Sequence, residues 1–117
     1  MKGMKHMEFK SADAYFSQSL GVLKCTIRGE IDHHSAKSIR EEIDKRLRED
    51  SPSELVIDMG GVTFMDSSGL GFIMGRYALV SKLGGSLALL NPNARVSRIL
   101  SLSALERIIK TERTDKK

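Results

Sequence analysis

A short apolar run, Leu55-Val56-Ile57, leads through an expected loop carrying Gly60-Gly61 into the sequence VTFMDSSGLGFIMG at residues 62–75. Leu70, Ile73, Met74 and Tyr77 follow at i, i+3, i+4 and i+7, which predicts a helix with those four residues on its buried face. A strand must therefore hand over to a helix across Asp66, Ser67 and Ser68. Side-chain oxygens of Asp and Ser accept from the backbone N–H groups that a helix start leaves unpaired. A hydroxyl placed there also lies at the positive end of a helix dipole, where added negative charge is tolerated. The turn is thus either a structural cap or an exposed hydroxyl open to phosphorylation, and the residues alone leave both readings standing.

The flanking chain repeats this alternation. Residues 15–20 read as a short strand, Gly21 as a turn, and Val22, Leu23, Cys25, Ile27 and Ile31 as a second strand with polar residues between its later members. Leu23 breaks strict alternation. Residues 35–49 predict a helix with the stripe Ala36, Ile39, Ile43 and Leu47; Ser35 is the expected N-cap, with Asp32 and His34 as competitors. Glu41–Lys45 and Glu42–Arg46 are i, i+4 pairs, so the charges read as a solvated face. Residues 55–58 form a strand buried on both sides. The central helix runs to about Lys82 and stops at Gly84-Gly85. Residues 86–90 read as a strand, Asn91-Pro92-Asn93 as a turn, and Val96, Ile99 and Leu100 as a short helix. Leu105, Ile108 and Ile109 suggest a last strand. The order β-β-α-β-α-β-α-β predicts one α/β domain over residues 11–110. Residues 1–10 read as an N-terminal extension and 111–117 as a polar tail.

Composition narrows the function. The net charge of +4 arises mostly at the ends, since residues 11–110 carry only +1. Interleaved charges and six Phe and Tyr residues give neither a basic stripe nor stacking platforms, which argues against nucleic acid. No apolar run approaches the roughly 20 residues of a membrane span, and residues 1–10 lack the apolar core of a signal peptide, so a cytoplasmic location is expected. A single cysteine, Cys25, excludes an intramolecular disulfide and reads as a buried small hydrophobe.

Candidate chemistries fail on missing parts. There is no P-loop, and Gly69, Gly71 and Gly75 have the wrong spacing for a dinucleotide fingerprint. Asp32, His33 and His34 are poor metal ligands as adjacent loop residues, and the only other histidine, His6, lies near a frayed end. A hydrolase using Ser67 with His33 as base lacks the nucleophile-elbow pattern G-x-S-x-G.

Two segments change the weighting. GEIDHHSA at residues 29–36 and FMDSSGLG at residues 64–71 together resemble the signature of anti-sigma factor antagonists of the STAS domain family. The resemblance runs over about residues 15–109, and the double histidine is most similar to sporulation members. It implies a single STAS-like α/β domain, a mixed four- to five-stranded sheet with helices packed on it, and a binding protein rather than an enzyme. The implied partner is an anti-sigma factor that is also a serine kinase; binding it releases a sporulation sigma factor. The resemblance makes Ser67, first serine of the DSSG motif, the phosphorylation site, with the phosphorylated form releasing the kinase and a PP2C-type phosphatase restoring it. The implied partner surface comprises Gly29, Glu30, Asp32, His33, Asp66, Ser67, Ser68, Gly69, Leu70 and Gly71, with Asp32 beside the phosphorylated serine. ATP or ADP and magnesium belong to the kinase, so no cofactor or metal is expected on this chain, nor any nucleic acid or membrane partner, and it is expected to be a monomer when free. A STAS module of another circuit, a general stress antagonist or a scaffold, is the alternative. The family's further C-terminal helix has no counterpart in TERTDKK, so it is expected to be absent, leaving one sheet face thinly covered.

Overall fold

The computed structural model describes residues 2–8 and 11–114. Its elements are β1 (Lys2–Glu8), β2 (Ala12–Ser19), β3 (Val22–Ile31), α1 (His33–Asp50), β4 (Glu54–Met65), α2 (Ser67–Lys82), β5 (Ser86–Leu90), α3 (Ala94–Leu102), a 3-10 turn at Leu105–Arg107 and β6 (Lys110–Glu112). One mixed sheet has the order β1-β2-β3-β4-β5-β6. β1, β2 and β3 pair antiparallel; β3 to β6 run parallel, joined by the three helices.

The sheet has six strands, not four or five. The extra strand, β1, lies in residues read as an extension. An edge strand needs a ladder on one side only, so it carries little apolar signal. The expected strand at residues 105–109 is instead a 3-10 turn that buries Leu105 and Ile109, a helical i, i+4 pair, and exposes Ile108; the strand follows at Lys110–Glu112, reaching into the tail.

In β3, Leu23, Cys25, Ile27 and Ile31 all face the core. Val22, not Leu23, is out of phase. The sheet register aligns Phe16, Cys25, Ile57 and Leu89 in one row under the helices. Burial pushes the Cys25 thiol far above its ordinary range, opposed weakly by the charge of Arg46, so it stays protonated and inert. Among the described residues no helix is long and apolar enough to cross a membrane.

Gly60 and Gly61, expected in a loop, lie within β4. Against β3, the register steps from Thr26↔Asp58 to Arg28↔Gly61, and again from Gly29↔Val62 to Glu30↔Phe64. Each step adds one residue to β4, so its inward residues change phase twice: Leu55, Ile57 and Met59, then Val62, then Met65. Gly61 fits because a Cβ there would meet Arg28 Cγ at 2.7 Å. Gly29 is fixed by conformation as well as space. Its φ is +103°, and a Cβ would stand 2.6 Å from the Ser11 carbonyl oxygen, which accepts from the Glu30 N–H at 2.9 Å.

α1 buries the stripe Ala36, Ile39, Ile43 and Leu47, as its spacing predicts. α2 is rotated from expectation. It buries Gly69, Phe72, Ile73, Arg76 and Val80, while Met74 is exposed and Leu70 and Tyr77 are half-buried. Two core-facing positions are occupied by glycine and arginine, which hydrophobic periodicity does not count. Gly69 lets the helix backbone lie against the Met65 side chain, where a Cβ would overlap Met65 Cγ. Arg76 crosses to α1: Nε meets Asp44 Oδ1 at 2.7 Å, an ion pair bent away from hydrogen-bond geometry, and Nη2 donates to Asp44 Oδ2 at 3.1 Å. Nη1 donates to the Phe72 carbonyl at 3.1 Å. Desolvation lowers the pKa of this guanidinium, and Asp44 offsets it; arginine remains charged throughout.

Two stability outcomes follow. Asp44→Ala strands a buried cation and is expected to cost about 3 kcal/mol in urea unfolding, whereas Asp44→Leu with Arg76→Met recovers most of the loss. Gly29→Ala is expected to cost about 2–3 kcal/mol through backbone strain and overlap, read as a fall in thermal midpoint with α-helical content retained below it.

Candidate functional site

Parallel pairing brings the ends of β3 and β4 to the same sheet edge. Ile31 and Met65 are register partners. Asp32 and Asp66 follow them directly, and each is the N-cap of the helix that begins there. This is the carboxyl edge of parallel strands, where α/β sheets present their ligand-binding loops.

At α1, Asp32 Oδ1 accepts from the Ser35 N–H at 2.9 Å, and Ser35 Oγ accepts from the Asp32 N–H at 3.0 Å. Asp32 is therefore the cap, and Ser35 is the third residue of a capping box. The buried Ser35 hydroxyl also donates to the Glu30 carbonyl at 2.8 Å. The Ser35 N–H, then the Ser11 hydroxyl, hold the Asp32 carboxyl below its ordinary pKa. A carboxylate with a lowered folded pKa stabilises above its unfolded pKa; that contribution is lost as pH falls through the folded value.

At α2, Asp66 Oδ1 accepts from the Ser68 N–H at 2.8 Å, and the Asp66 carbonyl from the Gly69 N–H at 2.9 Å. Ser67, the first helical residue, is exposed, and its hydroxyl has no hydrogen-bond partner among the described residues. The cap is thus made by Asp66, which leaves Ser67 free. Neither α1 nor α2 has an acidic residue in its first turn, so the positive end of each dipole is balanced only by its capping aspartate.

The other residues singled out from the sequence divide by environment. Glu30, His33 and Gly71 are exposed; Asp32, Asp66, Ser68 and Leu70 are half-buried at the same edge. Gly29 and Gly69 have structural work, one against the Ser11 carbonyl beside the second β4 bulge and one against Met65. His33 packs edge to face on His34, ring centroids 5.9 Å apart. It shares a groove with Ser68 rather than with Ser67. That groove, about 410 Å³, runs between α1 and α2 and is lined on the α2 side by Gly71, Phe72 and Gly75.

Sequence reasoning missed the cations on this groove, Lys37 and Arg40. Their signal was available: His33, Lys37 and Arg40 recur at i, i+4 and i+7 from the start of α1. It also missed Phe64, 38% exposed beside the turn with the Arg95 guanidinium 6.0 Å from its ring centre. Asn93 was read only as a turn residue. It caps α3 through the Val96 N–H at 2.8 Å and donates to the Val62 carbonyl at 2.8 Å, tying the second β4 bulge to the next loop.

The chain has clear relatives. It is 38% identical over 89 residues, 76% of each chain, to the anti-sigma F factor antagonist of Paenibacillus polymyxa. It is 37% identical over 92 residues to the anti-sigma-B factor antagonist of Bacillus subtilis (strain 168), covering 79% of this chain and 83% of that one. The solved structure of the anti-sigma factor antagonist SpoIIAA in its unphosphorylated form superposes with a TM-score of 0.75 at 25% identity, over 84% of this chain and 86% of the other. The STAS domain model matches residues 14–117, and the chain belongs to the STAS domain family.

Proposed function

We propose that this chain is an anti-sigma factor antagonist: it docks the edge carrying Asp32, Asp66 and Ser67 onto an anti-sigma factor with serine kinase activity and is switched off by phosphorylation of Ser67. The observation that carries this reading is the exposed, unpartnered Ser67 hydroxyl at the start of α2. Named relatives that antagonise anti-sigma factors support it, as does a structural neighbour described in an unphosphorylated form. The chain acts as a binding module, with ATP and magnesium on the kinase. A PP2C-type phosphatase resets it, and the free protein is a cytoplasmic monomer.

The physics of the switch is electrostatic. A phosphate on Ser67 adds about −1.5 to −2 charges at pH 7. In the free protein that charge sits in solvent at the N-terminus of α2, where the dipole contributes about 0.3–1 kcal/mol in its favour. In a closed interface it is desolvated beside two carboxylates, Asp66 and, through the Ile31–Met65 register, Asp32. A penalty of only about 2.8 kcal/mol lowers affinity a hundredfold, and burying an uncompensated charge exceeds that readily. Docking is lost while the core is untouched.

The sigma factor released is the sporulation factor in this reading, on the strength of GEIDHH with FMDSSGLG and the anti-sigma F relative. The anti-sigma-B relative favours a second reading, a general stress circuit with the same switch. Pull-down against both cognate kinases separates them by which one is retained.

Incubation with the cognate kinase and ATP, followed by peptide mass spectrometry, is expected to place phosphate on Ser67; phosphate on Ser68, or on neither, overturns the assignment. Ser67→Asp is expected to weaken kinase binding about tenfold or more, while Ser67→Ala stays bound. Equal affinities for the two variants in a binding titration contradict the mechanism.

A further inference from the structure

We propose that His6, Glu8 and Asp13 form a binding site for a divalent transition-metal ion of the zinc type, bridging β1 and β2 on the sheet face opposite the helices. The strand register builds it. His6 and Glu8 are two apart on β1 and share a face; Glu8 lies directly across from Asp13, and His6 from Tyr15. On β2 the core side is taken by Ala12, Ala14 and Phe16, so Asp13 and Tyr15 point the other way. One ligand atom from each of His6, Glu8 and Asp13 lies within 4.8 Å of the others.

The donor set suits the ion. Imidazole nitrogen and carboxylate oxygens bind zinc at about 2.0–2.2 Å, and three protein ligands leave a position for water. Donors at tetrahedral corners at that range stand about 3.4 Å apart, and His6 Nε2 is already 3.4 Å from Asp13 Oδ1. The imidazole is orientated in advance, stacked on Tyr15 with centroids 4.3 Å apart and planes 10° from parallel. Glu8 is exposed on the edge strand, and binding requires its carboxylate to close the remaining gap by a change of rotamer. From β3, Arg28 faces the same cluster, but it lies over the Tyr15 ring and donates to the Tyr15 hydroxyl at 3.4 Å, not to Asp13. Two carboxylates against one guanidinium leave the cluster net acidic when His6 is neutral. The ion would clamp the first strand to the sheet at a place remote from α2, so the site is independent of the Ser67 switch.

Tag-free protein titrated with zinc chloride by calorimetry at pH 7.5 tests this. The expected result is one ion per chain at micromolar affinity, with a higher thermal midpoint in its presence. His6→Ala and Asp13→Asn each weaken binding at least tenfold; His33→Ala with His34→Ala, and separately Ser67→Asp, leave it unchanged. No binding, binding that survives His6→Ala, or binding lost with the His33 and His34 substitutions overturns the site. Circular dichroism of His6→Ala, an exposed position, confirms that loss of binding is not loss of fold.

Discussion

The pairing of Ile31 with Met65 sets the geometry on which the other features depend. It ends two parallel strands level with each other, so that the next residue on each, Asp32 and Asp66, caps a helix at the same edge. The level ending is not what a simple ladder from Val22↔Glu54 would give. Two extra residues in β4 are absorbed as bulges at Gly61 and beyond Val62, and without them Met65 and the turn after it would stand in a different phase. Gly29, Gly61 and Gly69 permit this arrangement because each sits where a Cβ would collide, with Ser11, Arg28 and Met65 respectively. Glycines in the two signature segments are therefore largely parts of the scaffold, and the exposed polar residues between them are free to face a partner.

In the proposed switch, that division is what allows a charge to be added without consequence for folding. Asp66 satisfies the helix start, so Ser67 is released from capping. The helices below are held by a separate device, the Arg76–Asp44 bridge, whose Nε–Oδ1 contact of 2.7 Å is almost excluded from solvent. Such a pair contributes little net stability against an apolar replacement but is costly to break from one side, which fixes how α1 and α2 sit against each other. The groove between them inherits its shape from this bridge and its positive rim from Lys37 and Arg40. The anion-tolerant end of α2 and the packing beneath it are thus separate structures.

Much of this was legible in the sequence. The strand-to-helix turn before α2, the α1 stripe and the alternation of β3 follow from spacing and residue type, whereas Ser67 was singled out from Ser68 only by the family resemblance. What was not legible has physical causes. β1 is an edge strand held by a ladder on one side, and its residues do not advertise burial. The face of α2 was misplaced because its inward positions include Gly69 and Arg76, chosen for close approach and for charge pairing rather than for apolarity. The Gly60-Gly61 pair reads as a loop, and only register against β3 reveals it as a bulge. Ser35 was favoured over Asp32 as the α1 cap because both residue types serve; the capping box uses both, in different positions. The last strand was set too early because Leu105 and Ile109 are apolar at a spacing that serves a turn of helix equally well.

The central claim is that charge at Ser67 acts on docking and not on the fold. Its most direct test is a comparison of amide nitrogen–proton NMR spectra of the protein before and after stoichiometric phosphorylation. The account predicts shifts confined to the starts of α2 and α1, around residues 66–71 and 32–37, with the signals of β4, β5 and the buried face of α2 unmoved and the thermal midpoint essentially unchanged. Shifts spread through the core strands, or a marked fall in the thermal midpoint, would contradict it.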